Sequence, residues 1–152
     1  MYSIKELSEA LEGARAIINS RTKEVDVYTR GYNDCWSLIV EYDRLLRGEH
    51  SLFAKLDLTY KNSIDYLRQL KLNGYDTVHD LALKGNYEII RTLKPQFGDV
   101  AFELSKDKTG GAMIAGDGFW VSTSEHNTGV CDKRPQFFFE RKLTLLARPL
   151  RS

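Results

Sequence analysis

Cys35 carries the clearest chemical potential in this 152-residue chain. It stands in "YNDCWSLIVEYDRLL", residues 32–46, directly after Asn33 and Asp34 and directly before an apolar run of helical period. Asn and Asp are strong helix N-caps, so the spacing puts Cys35 in the first turn of a helix. There a thiol meets the positive end of the helix dipole and N–H groups without intrahelical partners, which favours the thiolate. That is the setting of a cysteine nucleophile. It is also the setting of a small apolar side chain buried where a helix enters the core, because cysteines that form no disulfide are among the most buried residues. A nucleophile needs a base. The chain has three histidines: His126, in "STSEHNTG", follows strand-like sequence, whereas His50 and His79 are expected at the surface.

Other chemistries find less support. Cys35 and Cys131 form no CxxC pair, so neither a zinc knuckle nor a thioredoxin-type motif is indicated. Asp34, Asp99 and Asp117 lack the clustering of a calcium loop. "KTGG" at 108–111 lacks the first glycine and the Gly-Lys-Ser/Thr order of a phosphate loop. No cofactor and no metal are expected. The tyrosines of the first half, from Tyr28 to Tyr87, read as amphipathic packing residues rather than a stacking surface.

The elements that must position Cys35 are helical in the first half, about 1–94. Ile4, Leu7, Leu11, Ala14 and Ile18 recur at helical spacing behind Ser3, and Glu6 completes a capping box, which predicts a helix over about 3–19. The Cys35 helix carries Trp36, Ile39, Val40, Tyr42, Leu45 and Leu46 on one broad side, and Gly48 ends it. "KNSIDYLRQLKLNGY" predicts a third helix and "DTVHDLALKGN" a short fourth, capped by Asp76 or Thr77.

From about residue 95 to 150, helical spacing gives way to short apolar runs broken by Gly, Asp and Asn. "FGDVAFEL", "GAMIAG", "FWVSTS", "TGVC" and "KLTLLARPL" predict four or five strands, mostly antiparallel because the connections are too short for crossover helices. "GDG" at 116–118 suits a hairpin turn. Helices first and an antiparallel sheet last describe an α+β fold, and 152 residues predict one domain, 1–152.

Composition sets the class without choosing a partner. The balance of 22 basic and 21 acidic residues, net +1, gives no field that selects nucleic acid or an anionic membrane. No run approaches the roughly 18 apolar residues of a membrane span, and the acidic, amphipathic start fits neither a secretory signal nor a transit peptide. Synthesis in a cytoplasm is expected, where thiols usually stay reduced. "QFFFE" at 136–140 packs three aromatic residues in a row, so strict strand alternation would leave at least one facing another segment or subunit.

The order "NDCW…LIVEYDRLLRGE", then "KPQFGDVAFE" and then "GGAMIAGDGFWVST", over roughly residues 32–123, resembles the NlpC-type papain-like cysteine peptidases, and especially their relatives in bacteriophage tail-assembly and tail-tip proteins. The resemblance implies a papain-like fold with Cys35 at the nucleophile position, Asp34 before it and Gly98-Asp99-Val100 opening the next conserved strand. It also puts Gly110 where the base histidine belongs and Ser122 at the third, polar position. Glycine can neither form a thiolate–imidazolium pair nor protonate a leaving amine, so the standard dyad is incomplete. The resemblance therefore implies a catalytically degenerate domain kept as a structural or interaction component, made in a host cytoplasm and carried in a virion tail. Its partners would be other proteins, among them phage tail proteins, or further copies of itself, with a contact at or near Phe137, Phe138 and Phe139. The rival expectation is a working thiol hydrolase of peptidoglycan peptides or another amide, with Cys35 as nucleophile and His126 as a non-standard base.

Overall fold

The computed structural model describes residues 1–56, 60, 63–91, 94–103, 111–123, 130–135 and 144–151. The first helix, α1 (Ile4–Val25), opens on the predicted capping box: Ser3 Oγ accepts from the Glu6 N–H at 3.1 Å, and Glu6 accepts from the Ser3 N–H at 3.2 Å. It runs six residues beyond the predicted end. Its C-cap Asp26 sits in the left-handed region, and Thr22 is buried with its hydroxyl on the Ile18 carbonyl, so the last turns are held by packing that periodicity does not reveal. Leu7, Leu11, Ala14 and Ile18 are buried as the spacing predicts, whereas Ile4 is exposed.

The second helix, α2 (Cys35–Arg47), is the central one. Asp34 is its N-cap and Gly48 its C-cap. Helix α1 lies along it, with Gly13 against the end of the half-exposed Leu45 side chain, where a Cβ would come within 2.8 Å of Cδ1. The buried side of α2 differs from the predicted apolar stripe. Leu45 is about half exposed, while Ser37, Glu41, Asp43 and Arg47 are buried together with Leu38, Ile39 and Tyr42. The charged residues go inside because each finds its counter-charge there.

Asp43 accepts from Arg47 Nε (2.8 Å), from the Tyr87 hydroxyl (2.7 Å) and from Ser51 Oγ. Arg47 in turn donates to the carbonyls of Leu150 (2.9 Å) and Asn86 (3.0 Å). This single ion pair joins α2 to the chain on both sides of the sheet's edge. Three shorter helices follow: α3 (Leu52–Lys55), α4 (Ser63–Leu72) and α5 (Val78–Lys84), the last capped by Thr77.

Among the described residues six strands follow: β1 (Tyr87–Ile90), β2 (Val100–Glu103), β3 (Ala112–Ala115), β4 (Phe119–Thr123), β5 (Val130–Pro135) and β6 (Thr144–Pro149). They form one sheet in the order β1-β6-β2-β3-β4-β5, with every neighbouring pair antiparallel. Sequence reasoning missed β1. It is four residues long and takes its register from β6, sixty residues away, so no local alternation announces it. The "GDG" segment turns β3 into β4, with Gly118 at a positive φ and the Gly116 N–H on the Phe119 carbonyl. Helix α2 lies across β3 and β4.

The main core fills the space between helices and sheet: Leu38, Ile39 and Tyr42 of α2 meet Val100, Phe102, Ala112, Ile114, Val121 and Ala147. Ala101, Met113, Ala115 and Trp120 form a second, smaller cluster on the opposite face. The fold is thus α+β, helices first and antiparallel sheet last. The segments holding Gly110, His126 and Phe137–Phe139 lie outside the described residues, as does the side chain of Cys131.

Candidate functional site

Asp34 builds the start of α2, and so the surroundings of Cys35. It is almost fully buried, and its Oδ1 accepts from both the N–H (2.9 Å) and the hydroxyl (2.6 Å) of Ser37. Its Oδ2 accepts from the Tyr60 hydroxyl. Asn33, also buried, accepts from the Thr29 N–H at 2.6 Å and donates to the Val27 carbonyl at 2.8 Å, which folds the approach to the helix into a fixed turn. The "ND" before the cysteine is therefore a two-residue clamp on the first turn. Cys35 itself is half-buried, next to Trp36, whose ring meets Tyr66 edge-on at 4.6 Å and Phe102 at 5.9 Å.

Two phenols complete this environment. Burial pushes Tyr60 far above its ordinary ionisation range, and the charge and hydrogen bond of Asp34, then the Cys35 sulfur, push it the same way. Burial likewise raises Tyr66, with Tyr60, Cys35 and Asp34 adding to it. A phenol held protonated is a hydrogen-bond donor and cannot take the proton of a thiol at neutral pH. The Tyr66 hydroxyl is buried, with no hydrogen-bond partner among the described residues. Neither tyrosine was singled out in the sequence; nothing in their spacing marks them, because Tyr60 reaches Asp34 across 26 positions.

Two histidines, His50 and His79, lie among the described residues. His50 ends the 3-10 turn that follows α2 (Gly48–His50), so the length of that helix, roughly 20 Å, separates it from Cys35. His79 rides on α5, which packs on β1 and α3. No cluster of three potential metal-ligating side chains occurs among the described residues.

The strand opened by Gly98-Asp99 is locked rather than reactive. Asp99 is fully buried and takes a two-pronged ion pair from Arg148 (2.9 and 3.0 Å), and it caps the turn through the Gln96 N–H at 2.8 Å. Gly98 has φ +88°, and any Cβ there would meet Leu7 at 2.8 Å and the Tyr42 hydroxyl at 3.0 Å. Tyr42 uses that closeness to donate to the Gly98 carbonyl at 2.8 Å, which ties α2 to β2.

Ser122 donates to the Ala112 carbonyl at 2.8 Å, and strand alternation sets it on the Trp120 face of β4, away from α2. Thr123 shares the Val121 face, toward the helices, and its buried hydroxyl has no hydrogen-bond partner among the described residues. On the helix side of β4 the buried polar group is thus Thr123. Position 110, immediately before the Gly111 that leads into β3, and His126, beyond β4, lie outside the described residues.

Among the described residues the site therefore joins a thiol at a helix N-terminus, a buried carboxylate committed to capping, and two protonated phenols. The Tyr60 donor is committed to Asp34, and the buried Tyr66 hydroxyl lies on the ring packed edge-on against Tyr60. No helix among the described residues is long and apolar enough to cross a membrane. No curated protein matches the chain. The family model described as a domain of unknown function (DUF6950) matches residues 12–135, from α1 through the Cys35 turn and the β3–β4 hairpin to the end of β5, and the chain belongs to that family.

Proposed function

We propose that this chain is a papain-like domain of NlpC type that has lost its catalytic pair and works by contact, as a structural or interaction component of a phage tail tip or tail-assembly complex. The carrying observation is glycine at position 110, where the resemblance puts the base histidine, in a chain that keeps the Asp34-capped cysteine at the start of its central helix. The α+β order and the position of Cys35 at the start of the central helix support the resemblance. The phage-tail assignment rests on that resemblance alone. In this reading the protein is made in the host cytoplasm and acts through other proteins or copies of itself, with Phe137–Phe139 as a contact segment.

Purified protein incubated with peptidoglycan stem peptides should leave them intact by mass spectrometry, and Cys35→Ala should change nothing in that assay. The Ala variant should lose only about 1 kcal/mol of stability, the scale of a small, partly buried side chain. Cleavage by the wild type that disappears in both Cys35→Ala and His126→Ala would replace this reading with the thiol hydrolase.

A further inference from the structure

Beside the first turns of α2 lies a cleft of about 260 Å³, lined by residues that include Arg21, Tyr32, Trp36, Glu41, Arg44 and Leu56. We infer that it is a binding site for a carboxylate. The inference concerns a surface separate from the Cys35 sulfur and stands whether or not the thiol is active.

The cleft has a charge imbalance built into it. Glu41 is almost completely buried, and its carboxylate accepts from Arg21 Nη2 at 2.9 Å and from Arg44 Nη1 at 2.8 and 2.9 Å. Two guanidinium groups thus share one carboxylate, and no other charged side chain lines the cleft among the described residues. Among the described residues one positive charge is left in excess. Arg21 is fixed, since its Nη1 donates to the Tyr32 carbonyl at 3.1 Å and its guanidinium lies over the Tyr32 ring at 5.2 Å. Arg44 is held at one nitrogen by Glu41, yet its side chain is 47% exposed. A guanidinium has five N–H donors in a fixed fork, so the Glu41 bonds leave donors on Arg44 for a second anion. Carboxylates are the anions that match such a fork.

The rest of the lining sets the ligand's body. The lining is mostly polar, and Trp36, Val40, Ala54 and Leu56 add a smaller apolar part to it. The volume lies below the roughly 300–1,000 Å³ of sites that enclose a drug-sized ligand. It suits one acidic group on a small body, supplied by a small organic acid or by an acidic residue in a segment of a protein partner.

The test is a titration followed by NMR at the Arg44 Nε–H and Trp36 indole N–H signals. The probes are N-acetyl-phenylalanine as its carboxylate, N-acetyl-phenylalaninamide, and the capped dipeptide acetyl-Phe-Glu-amide. Both signals should move with a carboxylate probe and stay put with the amide. Arg44→Gln, at a half-exposed position, should weaken binding by about tenfold or more, the loss expected for a charge-assisted hydrogen bond. Glu41→Gln removes the internal competitor and should tighten it. Response to the free acid alone identifies a small-molecule site, and response to the dipeptide identifies a site for a protein segment. Unmoved signals with both carboxylates, or equal response to the amide, would overturn the inference.

Discussion

Above about pH 10 the protein should lose stability steeply, and four of its eight tyrosines should release their protons only as it unfolds. Tyr42, Tyr60, Tyr66 and Tyr87 are each raised above the ordinary phenol value, first by burial and then by neighbouring groups, chiefly Asp99 and Asp43 for Tyr42, Asp34 for Tyr60, Tyr60 for Tyr66 and Asp43 for Tyr87. The sign follows from linkage. A phenol whose folded pKa exceeds its unfolded one binds more protons in the folded state once pH passes the unfolded value. Its contribution is therefore complete below about pH 10 and is lost as pH rises further.

Each such group costs up to about 1.4 kcal/mol per pH unit, so the four together approach about 5 kcal/mol per unit. Domain stabilities are about 5–15 kcal/mol, which places alkaline unfolding within one to three units. Phenolate absorbance recorded alongside circular dichroism should show a partial early titration, then a cooperative step in both signals. Complete titration of all the tyrosines with the fold intact would contradict the burial described for these four.

Asp43→Ala is expected to be the most damaging single substitution away from the apolar core. Asp43 and Arg47 are both buried, with side-chain exposures of 0% and 2%, so removing the carboxylate strands a guanidinium inside the protein. Tyr87 and Ser51 lose their acceptor in the same stroke. Breaking a buried pair from one side costs about 3–5 kcal/mol. For a domain of this size that lowers the melting temperature by roughly 6–20 °C. Lys5→Ala, which removes the exposed Lys5–Glu9 pair on α1, serves as the control and should cost no more than about 0.5 kcal/mol. Thermal and urea unfolding of the two variants check the contrast.

The contrast between these two ion pairs also marks how far the sequence could be read. Caps were legible because they are local: Ser3 with Glu6, Asp34 with Ser37, and Thr77 with Asp80 each lie three residues apart. The strand texture from β2 onward was legible for the same reason, whereas β1 at Tyr87–Ile90 precedes the expected change near residue 95. What could not be read depends on distant partners. Asp43 and Arg47 look like the solvent face of an amphipathic helix until Tyr87, Asn86 and Leu150 are brought to them. Asp99 looks like a turn residue until Arg148 arrives from 49 positions away.

At the site, the sequence placed Cys35 at the head of the central helix, with Asp34 as its cap. It could not indicate that Tyr60 and Tyr66 converge there, nor that strand alternation turns Thr123 rather than Ser122 toward the helices.

The central claim is that no imidazole serves Cys35, and site-resolved alkylation tests it most directly. Wild type and His126→Ala would be treated with iodoacetamide at mildly acidic pH, and modification of the Cys35 peptide followed over time by mass spectrometry. An imidazolium holds its thiol partner in the reactive, ionised form at a pH where an unassisted thiol reacts slowly. The account predicts equal, slow modification of Cys35 in both proteins. Rapid modification in the wild type that slows in His126→Ala would show a working thiolate–imidazolium pair and contradict it.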